Sequence, residues 1–149
     1  IKSLTLFAPA CTMELFDKSF LPYLGKRIGI ERMTVFNLSD ETEQNDQVGP
    51  AYNKSLLYLV SESFERTKAT PLAGMHKFWK GSAAASAFGS PLFQSEHGVI
   101  HSKGGATVRL ETDSRTHGGF DNDEDTLNAM MRIILGSNRL KKKFEKKQQ

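Results

Sequence analysis

Cysteine is almost missing from this chain of 149 residues: Cys11 stands alone. One thiol cannot form an intramolecular disulfide, so packing and hydrogen bonds must hold the fold, and the composition suits a reducing, cytoplasmic setting. Long hydrophobic runs are missing too. None approaches the roughly 20 apolar residues that span a bilayer, so no membrane span is expected. The first residues carry Lys2 and run quickly into Pro9, which does not make a secretory leader. Metal-ligand spacing is also lacking. His97 and His101 stand four apart, but Gly98 and a strand-like setting break the helix that a zinc pair would need, and His76 has no such partner. There is no internal repeat.

What is present is ordinary for a single globular domain: 38% hydrophobic and 25% charged residues. The net charge of +3 is unevenly spread. Between residues 139 and 149 there are six basic residues and one acid, a local +5, which leaves the rest of the chain near −2. Such a tail is most simply a solvated, frayed end, with contact to nucleic acid or another polyanion as the alternative.

Residues 3–8 are rich in strand formers and end at Pro9, which reads as a buried strand. Met13, Phe16, Phe20 and Leu24 follow at spacings of three and four, the mark of a helix that Pro22 must kink or end. Residues 33–38 form a second strand, followed by an acidic polar stretch over 39–47 and the turn Val48-Gly49-Pro50. Leu56, Leu59, Val60 and Phe64 share one face of a helix over 53–65. Residues 70–98 are irregular, with a short helix expected over 83–87. A short strand or hairpin arm is expected over 99–102 and a third strand over 106–110. The last helix runs over 126–135 with Gly136 as its cap.

Strands alternating with helices predict an α/β fold, a parallel sheet with flanking helices. The chain opens on Ile1 and a strand-like run, and three strands leave two open edges. We therefore expect N-terminal strands to be missing from this sheet.

Open parallel sheets carry their functional loops at the carboxyl ends of their strands. One such loop contains Asp40, Glu41, Glu43 and Asp46; another contains Thr116-His117-Gly118-Gly119-Phe120. A histidine near pH 7 is a natural general base, and glycines let the backbone turn sharply beside it. A carboxylate on the other loop would hold the imidazole in one tautomer and stabilise the imidazolium. Asp121 and Asp123 more simply cap the helix that follows. Cys11 reads as a small buried residue rather than a reactive thiolate. Met75, Phe78 and Trp79 read as core, with an apolar substrate pocket as the alternative.

Residues 3–10, 37–50, 54–61 and 116–123 together resemble the C-terminal half of an α/β-hydrolase. The resemblance covers most of residues 1–136 and thins between 78 and 98. It implies a partial α/β-hydrolase-like domain over 1–138, an irregular cap-like insert over about 70–98, and a basic, disordered tail over 139–149. That superfamily carries a Ser, Asp/Glu, His triad in chain order, the serine on a Gly-x-Ser-x-Gly elbow. Asp46-Gln47-Val48-Gly49-Pro50 matches the turn that follows the acid, so the resemblance assigns the acid to Asp46 and the base to His117. Asp40, nearer the strand end, is the rival acid. No Gly-x-Ser-x-Gly occurs in the sequence, which puts the nucleophile upstream of Ile1. The implied reaction is hydrolysis of a small-molecule ester, thioester or amide, with neither metal nor organic cofactor. The alternatives are a non-catalytic α/β module that pairs or self-associates through open sheet edges, and polyanion binding through the tail.

Overall fold

The computed structural model describes residues 1–50, 52–88, 99–101 and 109–146. Strands β1 (Ser3–Phe7) and β2 (Arg32–Phe36) pair in parallel, from Ser3 opposite Arg32 to Phe7 opposite Phe36. A parallel pair needs a crossover. Helix α1 (Met13–Ser19) and a 3-10 turn over Leu21–Tyr23 supply it, with Pro22 where its fixed φ is tolerated. Thr12 caps α1 by accepting from the Leu15 N–H at 3.1 Å.

All five residues of β2 are buried. Their alternation divides the core. Met33 and Val35 pack with Met13, Phe16, Trp79 and Phe88 on one face, while Phe36 packs with Phe120, Ala129 and Ile133 on the other. Trp79 meets Phe16 and Phe88 edge-on, both at 5.3 Å between ring centres. Full burial of each such side chain stabilises by about 1.5–3 kcal/mol, and each edge-to-face pair adds about 0.5–1.5 kcal/mol. Trp79, Met75 and, in part, Phe78 are therefore core residues.

Strand β3 (Val99–His101) runs antiparallel to β2, with Val35 opposite Ile100. The sheet, ordered β1-β2-β3, is mixed, which corrects the all-parallel expectation. A three-residue run fixes no direction by its periodicity. The strand expected over 106–110 falls largely outside the described residues. Its last two members, Arg109 and Leu110, are not in a strand, and the Arg109 N–H donates to Asn138 Oδ1 instead of to a ladder.

The acidic stretch expected to be irregular is a helix, α2 (Asp40–Asn45). It has no apolar period. Its signals are a Ser39 cap, whose Oγ accepts from the Thr42 N–H at 3.1 Å, and Asp40, Glu41 and Glu43 at the positive end of the helix dipole. Helix α3 (Leu56–Leu59) begins at its Ser55 cap, later than expected, and continues as a π-helical turn over Val60–Phe64. Helix α4 (Ala83–Phe88) follows Trp79. Helix α5 (Glu124–Leu135) starts at Asp123 and ends at Gly136, whose φ of 61° is the left-handed cap that favours glycine. Beyond it, Phe144 is tied back to α5: its N–H donates to Asn128 Oδ1 at 2.8 Å, and its carbonyl accepts from Asn128 Nδ2 at 3.0 Å.

Among the described residues no helix is long and apolar enough to cross a membrane. The molecule is a small α/β fold whose β2 leads directly into α2.

Candidate acid–base site

α2 begins after three intervening residues beyond β2 and carries two acids inward. Glu43 and Asp46 are three positions apart, so they share one side of the helix. Asp46 is the residue that ends it. The Ser55 N–H donates to the Glu43 carbonyl at 3.0 Å, and the Ser55 hydroxyl donates to Glu43 Oε2. The start of α3 is thereby locked to the middle of α2.

The other side of the site comes from far along the chain. His117 opens a 3-10 turn (His117–Asn122) after an extended Thr116. Gly119 permits this turn: a Cβ there would lie 2.5 Å from Ser114 Oγ. The Gly119 N–H closes back on the Thr116 carbonyl at 3.0 Å.

The turn delivers His117 to α2 across 71 positions of sequence. Asp46 Oδ2 accepts twice from it, at 3.0 Å from the backbone N–H and at 2.7 Å from ring Nδ1. A carboxylate only accepts, so the Nδ1 proton and the ring orientation are fixed together. The opposite nitrogen, Nε2, lies 3.2 Å from Glu43 Oε1. The side chains are 21% (His117), 16% (Asp46) and 1% (Glu43) exposed, so water screens these charges little. Burial alone would push the imidazole pKa down. The bonds and charges of Glu43 and then Asp46 outweigh it and hold His117 above its ordinary value.

Asp40, the rival acid, is committed elsewhere. It accepts from the Tyr58 hydroxyl at 2.8 Å and from Gln44 Nε2 at 2.9 Å, and the Lys77 ammonium lies 3.9 Å away. Burial and the Asp40 carboxylate push the Tyr58 phenol well above its usual range. Asp123 Oδ2 caps α5, accepting from the Thr126 N–H at 2.8 Å and also from the Asp113 N–H at 3.0 Å, whereas Asp121 is exposed. Burial pushes the Cys11 thiol up, away from the thiolate. His97 lies outside the described residues, and of His101 only the backbone in β3 is described.

Glu43 is the member of the site that sequence reasoning missed. Its signal is the Ser39 cap, which makes a helix of residues 40–45 and sets Glu43 one turn before Asp46. Glu43 and Asp46 address opposite nitrogens of one ring, so the three side chains do not converge on a point. Among the described residues no group of His, Cys, Asp and Glu forms a metal site. A solvent-open groove of about 970 Å³ runs along the Asp46 side, lined by Ser39, Thr42, Asn45, Asp46, Arg115 and Thr116.

No protein-family model, curated protein or solved structure matches this chain.

Proposed function

We propose that this chain supplies the acid and the base of a serine-hydrolase site acting on an ester, thioester or amide, while the nucleophile comes from residues outside the sequence. The observation that carries this reading is the 2.7 Å contact between His117 Nδ1 and Asp46 Oδ2. It is the orienter–base arrangement that nucleophilic hydrolysis requires.

In this reading Nε2 takes the proton of a serine hydroxyl as its oxygen attacks the substrate carbonyl. The same proton passes to the leaving group as the acyl–serine forms. Water then repeats the cycle and releases the acid. Asp46 keeps its Nδ1 proton contact throughout and stabilises the imidazolium between the two transfers. The lone Cys11 suits a cytoplasmic enzyme.

The test is ester hydrolysis by a polypeptide that joins these residues to a Gly-x-Ser-x-Gly segment encoded upstream. His117→Ala and Asp46→Asn should each lower kcat by about 10⁴-fold with folding unchanged by circular dichroism. Undiminished turnover in both variants would remove the proposal.

A second reading rests on β1. Among the described residues no strand pairs with its outer edge, and an open edge is a surface on which another strand adds. Light scattering that finds only monomer at high concentration would count against self-association there.

A further inference from the structure

The triad reading uses one face of His117 and leaves the other unexplained. Nε2, the nitrogen that must be free to accept a proton, lies 3.2 Å from Glu43 Oε1. Among the described residues neither atom has a hydrogen-bonding partner, and the two stand at ion-pair distance. Glu43 is fully buried, and a buried carboxylate is costly unless something compensates it. Ser55 satisfies Oε2; among the described residues only the imidazole faces Oε1.

We propose that Glu43 is a positioning residue that retains a proton on His117 Nε2, so that the ring rests as an imidazolium with a carboxylate beside each nitrogen, and becomes a base only when that proton passes to water and a hydroxyl takes the place of Glu43. For its catalytic consequence this rests on His117 being the base; the retained proton itself does not.

The proton inventory leads to this conclusion. Asp46 and Glu43 both accept, so a neutral ring protonated at Nδ1 would turn the Nε2 lone pair towards a carboxylate oxygen at 3.2 Å. One added proton removes that repulsion. It can sit on Oε1 or on Nε2. The Ser55 hydroxyl already donates to the other oxygen of this carboxylate, Oε2, and the ring nitrogen is the donor left to face Oε1. The charged groups acting on the ring are Glu43 from α2 and Asp46 at its end. α3 contributes the neutral Ser55 hydroxyl, and Arg115, on the segment before the ring, is exposed and lies 3.5 Å from Asp113. The direction of the His117 pKa, above its ordinary value, agrees. In this conformation the site is held off: a base that already carries its proton cannot take another.

The experiment is an NMR titration of the His117 ring nitrogens and Cε1 proton in the whole chain, in the wild type and in Glu43→Gln and Asp46→Asn. The wild type should show both nitrogens protonated at neutral pH and a midpoint above 6.5, the ordinary histidine value. Glutamine keeps the volume and the hydrogen-bonding reach but not the charge. Its midpoint should fall by about one pH unit or more, a roughly tenfold easier loss of the proton. A wild-type ring that is neutral at pH 7, or an unchanged midpoint in Glu43→Gln, overturns the inference. The wild-type measurement decides this even where Glu43→Gln does not fold. Asp46→Asn separates this from the triad reading: a midpoint that ignores Asp46 counts against the orienter–base pair, whereas one that responds to Asp46 but not to Glu43 removes only the role of Glu43.

Discussion

Gly74 shows how little room single residues have in this fold. A Cβ at this position would lie 2.5 Å from the Ala8 carbonyl carbon and 2.7 Å from the Pro9 carbonyl oxygen, both backbone atoms that cannot rotate aside. Gly74→Ala should therefore destabilise the chain by about 1–3 kcal/mol or more, read as a lower urea midpoint. A wild-type midpoint would mean that the loop after β1 is free to move. Ala8 itself is strained, with φ of 36° in a non-glycine residue. The neighbouring Ala73 carbonyl accepts from both Trp79 Nε1 at 2.7 Å and Asn37 Nδ2 at 3.0 Å. Side chains from the core thus pin the same backbone that Gly74 lets through.

At the scale of elements, the short helix α2 matters most, because it carries both Glu43 and Asp46. Six polar residues have little intrinsic reason to be helical. Ser39 supplies much of that reason. Ser39→Ala should cost about 1 kcal/mol and loosen the hold on His117. Chemical denaturation gives the first effect, and faster amide exchange at His117 N–H gives the second. An unchanged His117 amide would show that α3, through Ser55, suffices to keep α2 in place. The element scale is also where sequence reading succeeded and failed most clearly. α1, α4 and α5 were legible because apolar spacing, small residues or a glycine stop recorded them. α2 was not, because caps and charge rather than periodicity make it a helix. The direction of β3 was not, because three residues carry no periodic record of which way they run beside β2.

For the whole molecule, two histidines pull the pH dependence of stability in opposite directions. His117 is raised in the fold. Its contribution is fully present below 6.5 and is lost as pH rises from there through its folded midpoint. His76 is lowered by burial, which Asp40 opposes. The unfolded chain therefore binds a proton more readily there, and stability falls as pH drops below 6.5 towards its folded midpoint. Urea midpoints measured from pH 5.5 to 8.5 should decline on both sides of about 6.5. Glu43→Gln should flatten the alkaline side only. A curve that keeps rising above 6.5 in the wild type would contradict the charge state assigned to His117.

The α/β pattern, the strands β1 and β2, the breaks at Pro22 and Gly136 and the histidine on a glycine-rich turn at His117 are written in the sequence. These follow from alternation, helical spacing and turn chemistry, all of which act over a few neighbouring residues. Packing alone settles that Asp40 belongs to Tyr58, that β3 runs antiparallel to β2, and that Glu43 faces Nε2 of His117. Those facts depend on how segments separated by tens of residues pack, and local pattern holds no record of which face of a short polar helix the rest of the chain will cover.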